Sequence, residues 1–331
     1  MNKRTAYILG GLTALVLGSL AFSQFANKGQ SSSSNQVAKV GVLQLVSHPS
    51  LDEIYKGVEE GLKEEGYSGK KVEIEFLNAE GDQSKIATMS QKLASGKKDV
   101  LIGIATPAAQ GLASATKDTP IVMGAITDPL GAKLVDSLEK PGGNITGVSD
   151  QNPAQQQLDL IKTLTPDVKT IGILYSSSED NSKTQVEEFT KLAEKAGYSV
   201  RPVAVPSTNE IASAMTTLAP KVDAVWVPID NTIASAFNTV VANNKDFNKP
   251  IYPSATAMVE AGGLGSVVVD QHDLGVETGK MAAKVLKGAK PAETPVTIFN
   301  TGKIVVNKKV ADELGIQLPD SLKKDGATII E

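Results

Sequence analysis

Residues 142–150, GGNITGVSD, decide how the chain is read. Gly142-Gly143 favours a turn, residues 144–148 form a short β-rich run, and the run breaks off into Ser149-Asp150. Four strand-like runs with helical runs between them come before it, and the same grammar starts again after it. The stretch is therefore expected to end one lobe and carry the chain across to a second, leaving a ligand cleft between the two.

Upstream, residues 38–46 (AKVGVLQLV) are an apolar β-rich run leading into the polar turn Ser47-His48-Pro49-Ser50. Residues 51–65 show helical spacing, with Leu51, Ile54, Tyr55, Val58 and Leu62 on one face and Gly66 as the stop. Strands are predicted over 72–77, 99–104, 120–126 and 144–148, and helices over 84–94 and from Thr106. Residues 99–104 are almost wholly apolar, as a parallel strand buried on both faces should be. Strict β-α alternation is the mark of a doubly wound parallel sheet, and such sheets bind ligands beyond the carboxyl ends of their strands. The polar groups at those exits are Ser47, His48, Asn78, Thr106, Asp128 and Ser149.

Downstream, the pattern repeats in order. TIGIL at 170–174 matches VGVL at 40–43, and Val186-Glu187-Glu188 matches Val58-Glu59-Glu60. Gly197-Tyr198-Ser199 matches Gly66-Tyr67-Ser68, and DAVWVPI at 223–229 matches DVLIGI at 99–104. Pro250-Ile251 matches Pro120-Ile121, and Gly262-Gly263 before 266–269 matches Gly142-Gly143. The expected fold is α/β: two doubly wound parallel-sheet lobes of the same topology, joined by a hinge of several segments. The first lobe is assigned residues 37–148 with 272–290, the second 149–271 with 291–331. The helix ending at Leu286 is expected to return to the first lobe, and the strands over 297–306 to go back to the second.

Composition narrows the function. At 331 residues, 41% hydrophobic and 21% charged, the chain is of soluble globular type, and a net charge of −4 offers no basic field for nucleic acid. It has no cysteine, which excludes disulfides, thiolate chemistry and a lipid-modified N-terminal Cys, and its two histidines argue against a histidine metal site. No phosphate loop, nucleophile elbow or dinucleotide fingerprint is present, so no enzyme activity, cofactor or metal is expected. At the N-terminus, Lys3 and Arg4 precede a mostly apolar run over 6–26, read either as a signal peptide cut after Ala21 or as an uncut anchor; 30–36 (QSSSSNQ) reads as a linker. Either way the folded part is expected outside the cytoplasm, at the extracellular face of the membrane.

The pieces ATPAAQ (105–110), TDPLGAKLV (127–135), PGGNITGVSD (141–150), VPIDN (227–231) and KIVVN (303–307) resemble the substrate-binding proteins of ABC importers for tryptophan and other aromatic amino acids. The resemblance covers residues 37–319. It implies a type I periplasmic-binding-protein fold, a monomer that closes on one small molecule, and a membrane permease as partner. Other cargoes on the same fold (another amino acid, a sugar, a nucleoside) and an extracellular receptor module are the alternatives.

An amino acid zwitterion needs hydroxyls and helix N-terminal N–H groups for its carboxylate, an acid for its ammonium, and an apolar slot for its ring. Ser182, with Asn181 and Ser178, is read as the carboxylate site, and Asp230, followed by Asn231, as the ammonium partner. Thr106 and the backbone of Ala108 contribute from the first lobe, while Ser47, His48, Ser149 and Ser254 complete the strand-exit set. Asp150 and Asp270 belong to the candidate set too, although both are read first as hinge ties. Glu179-Asp180 is read as a solvated turn, and Trp226, Tyr175 and Tyr252 as core.

Overall fold

The computed structural model describes residues 37–151, 153–324 and 326–331. Val37–Glu331 forms one compact unit. The expected anchor or signal segment lies outside the described residues, and no described helix is long and apolar enough to cross a membrane.

The first half builds β1 (Ala38–Gln44), α1 (Pro49–Glu64), β2 (Val72–Asn78), α2 (Gln83–Ser95), β3 (Val100–Ile104), α3 (Thr106–Ala115), β4 (Ile121–Gly124) and β5 (Ile145–Asp150). These strands lie in one sheet in the order β5-β4-β3-β1-β2, all parallel. Every residue of β3, β4 and β5 is buried, which is why β3 and β4 read as unbroken apolar runs. β5 runs two residues further than its apolar stretch predicts, so Ser149 and Asp150 are strand residues. Gly147 holds φ +149 with Met123 O 2.3 Å from where a Cβ would stand, a place only glycine can fill.

The second half repeats the plan with α4 (Ala154–Leu164), β6 (Thr170–Ser176), α5 (Asp180–Lys195), β7 (Ser199–Val205), α6 (Ile211–Leu218), β8 (Ala224–Trp226), α7 (Asn231–Ser235), α8 (Phe237–Ala242), β9 (Ile251–Tyr252) and α9 (Thr256–Glu260). Its sheet order, β7-β6-β8-β9, is that of β2-β1-β3-β4, so the repeat read in the sequence is a repeat of topology. Trp226 is core, stacked on Phe189 at 4.0 Å. Tyr252 is core too and pairs its hydroxyl with Thr165 Oγ1 at 2.9 Å.

The repeat stops at the fifth strand. β10 (Gly265–Val268) pairs antiparallel with β12 (Lys303–Asn307), which pairs parallel with β13 (Thr328–Ile330) in a separate three-stranded sheet. α10 (Gln271–Leu286) then packs back on α1 and the first sheet. The two helices touch backbone to backbone at Gly57, Gly61, Gly275 and Gly279. The routing of 297–306 needs correcting: β11 (Thr297–Phe299) adds to β5 at the edge of the first sheet, and only β12 joins the second half. An exposed Ile298 between two half-buried neighbours is what an edge strand shows.

Candidate functional site

The carboxyl ends of both sheets face one another across a cavity of about 30 Å³. Its wall is sorted by chemistry. The exits of β3, β4 and β5 contribute Ala105, Thr106, Ala125, Thr127 and Asp150. Across from them stand Asn181, Ile229 and Asp230, from the exits of β6 and β8. Apolar side chains come from Leu51 and Ile54 of α1, Ala234 of α7, and Ala255 and Met258 at α9. His48, Ser50, Asn231, Ser254 and Gln271 complete the lining.

Ala105 and Ala125 both hold positive φ, 73° and 57°. Strained non-glycine backbone of this kind concentrates at functional sites. Ala105 occupies the N-cap of α3 without capping it, and Pro107 has no N–H to satisfy. With Ala109 N bonded to Ala105 O, the remaining N–H groups of the first turn of α3 belong to Thr106 and Ala108, and Thr106 lines the cavity; a helix N-terminus of this kind favours an anion.

Asp150 is fully buried, and its Oδ1 has no hydrogen-bond partner. Burial pushes its carboxyl up to about 7, against a smaller pull from the Thr127 hydroxyl. Asp230 is buried as well but fully engaged. Its Oδ2 accepts from Ser176 N at 2.5 Å and its Oδ1 from Ile233 N at 2.9 Å, capping α7. Burial and then the Glu179 carboxylate raise it above the ordinary range.

Glu179 itself, read from sequence as solvated, is 1% exposed. Its Oε2 accepts from Asn231 Nδ2 at 2.6 Å, and its Oε1 from Thr232 N and Oγ1, both at 2.8 Å. That bond fixes the Asn231 amide, so Asn231 Oδ1 points across the cleft to His48 Nε2 at 3.3 Å, and Nε2 is the donor. Burial lowers the His48 pKa, which keeps the ring neutral near pH 7. A second bridge runs from Gln110 Nε2 to Asp180 Oδ2 at 3.2 Å. Both bonds tie the first half of the chain to the second, as in a closed cleft.

The structure thus brings His48, Thr106, Asp150, Asn181, Asp230, Asn231 and Ser254 to one cavity. It does not bring the rest there by side chain. Ser47 Oγ donates to Asp52, Ser178 Oγ pairs with Ser176, and Ser182 Oγ reaches Ile229 O at 3.5 Å. The side chains of Ala108 and Ser149 are buried outside the lining, which leaves the Ala108 backbone N–H in the first turn of α3, and Asp270 is an exposed N-cap of α10. Asn181 spends its Nδ2 on Ile229 O, which leaves a buried Oδ1 without a partner. An acceptor of this kind does not suit a carboxylate. The hydroxyls expected to hold a carboxylate around Ser182 are engaged within the protein, with Ser182 on Ile229 O and Ser178 on Ser176, while the acid expected at the hinge, Asp150, has an open oxygen. Thr127 and Gln271 were visible as residues at strand exits, and Leu51 and Ile54 as part of the apolar face of α1. Nothing in the spacing said which of them would meet the cleft.

Among the described residues no group of three or more His, Cys, Asp or Glu could hold a metal ion.

Three comparisons place the chain. The family described as ABC transporter substrate binding protein matches residues 39–330. A tyrosine-binding protein of Clostridioides difficile is 38% identical over 296 residues, 89% of this chain and 86% of that protein. Among solved structures, an ABC domain from Streptococcus pneumoniae in complex with L-Trp is 69% identical, with TM-score 0.88 over 89% of this chain and all (100%) of the other. A ligand-free, open substrate binding protein with adhesive properties from Clostridium difficile is 35% identical and covers 89% of this chain and 99% of that one. Its TM-score is lower, 0.68, as expected if the cleft is closed here and open there.

Proposed function

The chain belongs to the ABC transporter substrate-binding proteins, and from that premise we propose that it captures an aromatic amino acid, tryptophan before others, and delivers it to a membrane permease. The family is one of solute-binding proteins that work outside the cytoplasm, with the two-lobed type I periplasmic-binding-protein fold.

One observation carries the reading of the cargo. The cavity lining includes Asp150, whose buried Oδ1 lacks a partner, together with the apolar side chains of Leu51, Ile54, Ala234, Ala255 and Met258. An ammonium group is the cation that satisfies Asp150, with Asn181 Oδ1 as a second buried acceptor on the facing lobe. The ligand carboxylate takes the first turn of α3 and the Thr106 hydroxyl. The ring lies between Leu51 and Ile54 on one side and Ala234, Ala255 and Met258 on the other. Asp230 holds Ser176 and α7 in place, and so acts behind the site rather than on the ammonium. The L-Trp complex at 69% identity and the tyrosine-binding relative at 38% support an aromatic cargo.

Thermal unfolding tests it. A ligand that binds only the native state at one hundred times its Kd adds about 2.7 kcal/mol, which raises the melting temperature by roughly 5 °C in a protein of this size. L-Tryptophan is expected to give the largest rise, phenylalanine and tyrosine smaller ones, sugars and nucleosides none. A rise with a sugar or nucleoside alone would overturn the cargo.

A further inference from the structure

Beside the binding cavity lies a second one of about 230 Å³. The two share His48, Ser50, Ala234 and Met258 as a common wall. The outer chamber is lined further by Phe237, Ala257 and Ala261, with Ser47, Ser235 and Asn238 as its polar groups. We propose that this outer chamber is a second compartment of the ligand site, open to a substituent on the far end of the ligand's ring, and that His48 is the stop that sets the longest ligand accepted. The inference rests on the aromatic amino acid reading and adds to it a specificity-determining residue and a ligand class: ring-extended aromatic amino acids.

The sheet order supplies the direction. Asp150 ends β5, and Thr127, Thr106 and His48 follow β4, β3 and β1; these strands are successive neighbours in the first sheet. With strands about 4.8 Å apart, the β1 exit lies roughly 14 Å from that of β5. A ligand whose ammonium meets Asp150 therefore runs its ring along the strand ends toward His48. There the facing lobe presents Ala255 and Met258, which follow β9, the outermost strand of its own sheet. The ring's far edge meets the partition rather than solvent.

His48 is built as a fixed stop. It is 7% exposed and held by Asn231, whose amide is locked in turn by Glu179. Its imidazole is neutral and flat, and packs against a ring without adding a buried charge. Behind it the chamber mixes apolar and hydroxyl or amide groups, which suits an aryl extension with or without a polar tip.

The test compares L-tryptophan, L-phenylalanine and 4-phenyl-L-phenylalanine by calorimetry on the wild type and on His48→Ala, with thermal unfolding as the check of folding. The ratio of the Kd for 4-phenyl-L-phenylalanine to that for L-phenylalanine is expected to fall at least tenfold in His48→Ala. Met258→Ala thins the same partition from the opposite lobe and is expected to move the ratio the same way, which keeps the test open if His48→Ala does not fold. Filling the chamber in the double variant His48→Ala/Ala257→Trp should return the ratio to near that of the wild type. An unmoved ratio in both single variants, or a gain that survives the filled chamber, would overturn the inference while leaving the aromatic cargo standing. A wild type that binds no aromatic amino acid would overturn both.

Discussion

Asp150→Asn is expected to raise the Kd for L-tryptophan by about 30- to 1000-fold, the equivalent of roughly 2–4 kcal/mol for removing one partner of a buried charged pair. The substitution keeps the shape of the side chain and removes its capacity for charge. In the wild type, Asp150 lines the cavity and its Oδ1 has no protein donor, so on this account the ligand ammonium becomes its partner. An asparagine there offers at most a carbonyl dipole. Calorimetry at pH 8 measures the loss. An affinity within threefold of the wild type would remove Asp150 from the site.

The same carboxyl makes binding depend on pH. Its folded value of about 7 lies above the ordinary value of 3.8. A raised acid favours the empty folded state in its neutral form. That contribution is fully present below about pH 4 and is lost as pH rises through 7, at up to about 1.4 kcal/mol per pH unit between. Asp230, raised by burial and by Glu179, acts in the same direction. A ligand ammonium reverses the preference, because it favours the carboxylate. Affinity should therefore weaken as pH falls below 7, by up to tenfold per unit, and the slope should vanish in Asp150→Asn.

The largest loss of stability is expected from Gly275→Ala. A Cβ at Gly275 would stand 2.1 Å from Ile54 O and 2.9 Å from Gly57 Cα. Both are backbone, so no rotamer change relieves the clash, and α10 must move off α1. Overpacking commonly costs 1–3 kcal/mol, and a clash with backbone lies at or above the top of that range, about 3 kcal/mol or more. The melting temperature should drop by at least about 6 °C. Gly143→Ala is the control: its Cβ meets open space, and its melting temperature should stay within about 1 °C. The glycine contact also bears on binding. It seats α1, which supplies Leu51 and Ile54 to the cavity, against α10, which begins at Gln271 in the same wall. Loss of the contact displaces both.

Strand exits were the most legible part of the site. Apolar runs ending in polar turns named β1, β3, β4, β5, β6, β8 and β9, and the cavity is built from those ends. What the sequence withheld was parity. Ser149 and Asp150 are neighbours on β5 and point to opposite faces, but β5 is buried on both. No alternation of polar and apolar residues then says which of the two meets the cleft. Glu179 was misread for a different reason. An acid in a serine-rich turn is normally solvated, and its burial depends on donors from Asn231 and Thr232, some fifty positions on. β11 is three residues long and gains its place from pairing with β5 across about 150 residues, which no local pattern encodes. Asp230, read as a ligand contact, lines the cavity and also caps a short helix, two roles that call for the same residue at the same kind of turn.

The most direct test is a crystal structure of the protein with L-tryptophan. The account predicts the ammonium nitrogen within hydrogen-bonding distance of Asp150 Oδ1, the carboxylate at the first turn of α3, and the indole between Ile54 and Met258 with its far edge toward His48. An ammonium held by Asp230, or a ligand turned end for end with its ring at Thr127 and Asp150, would contradict it.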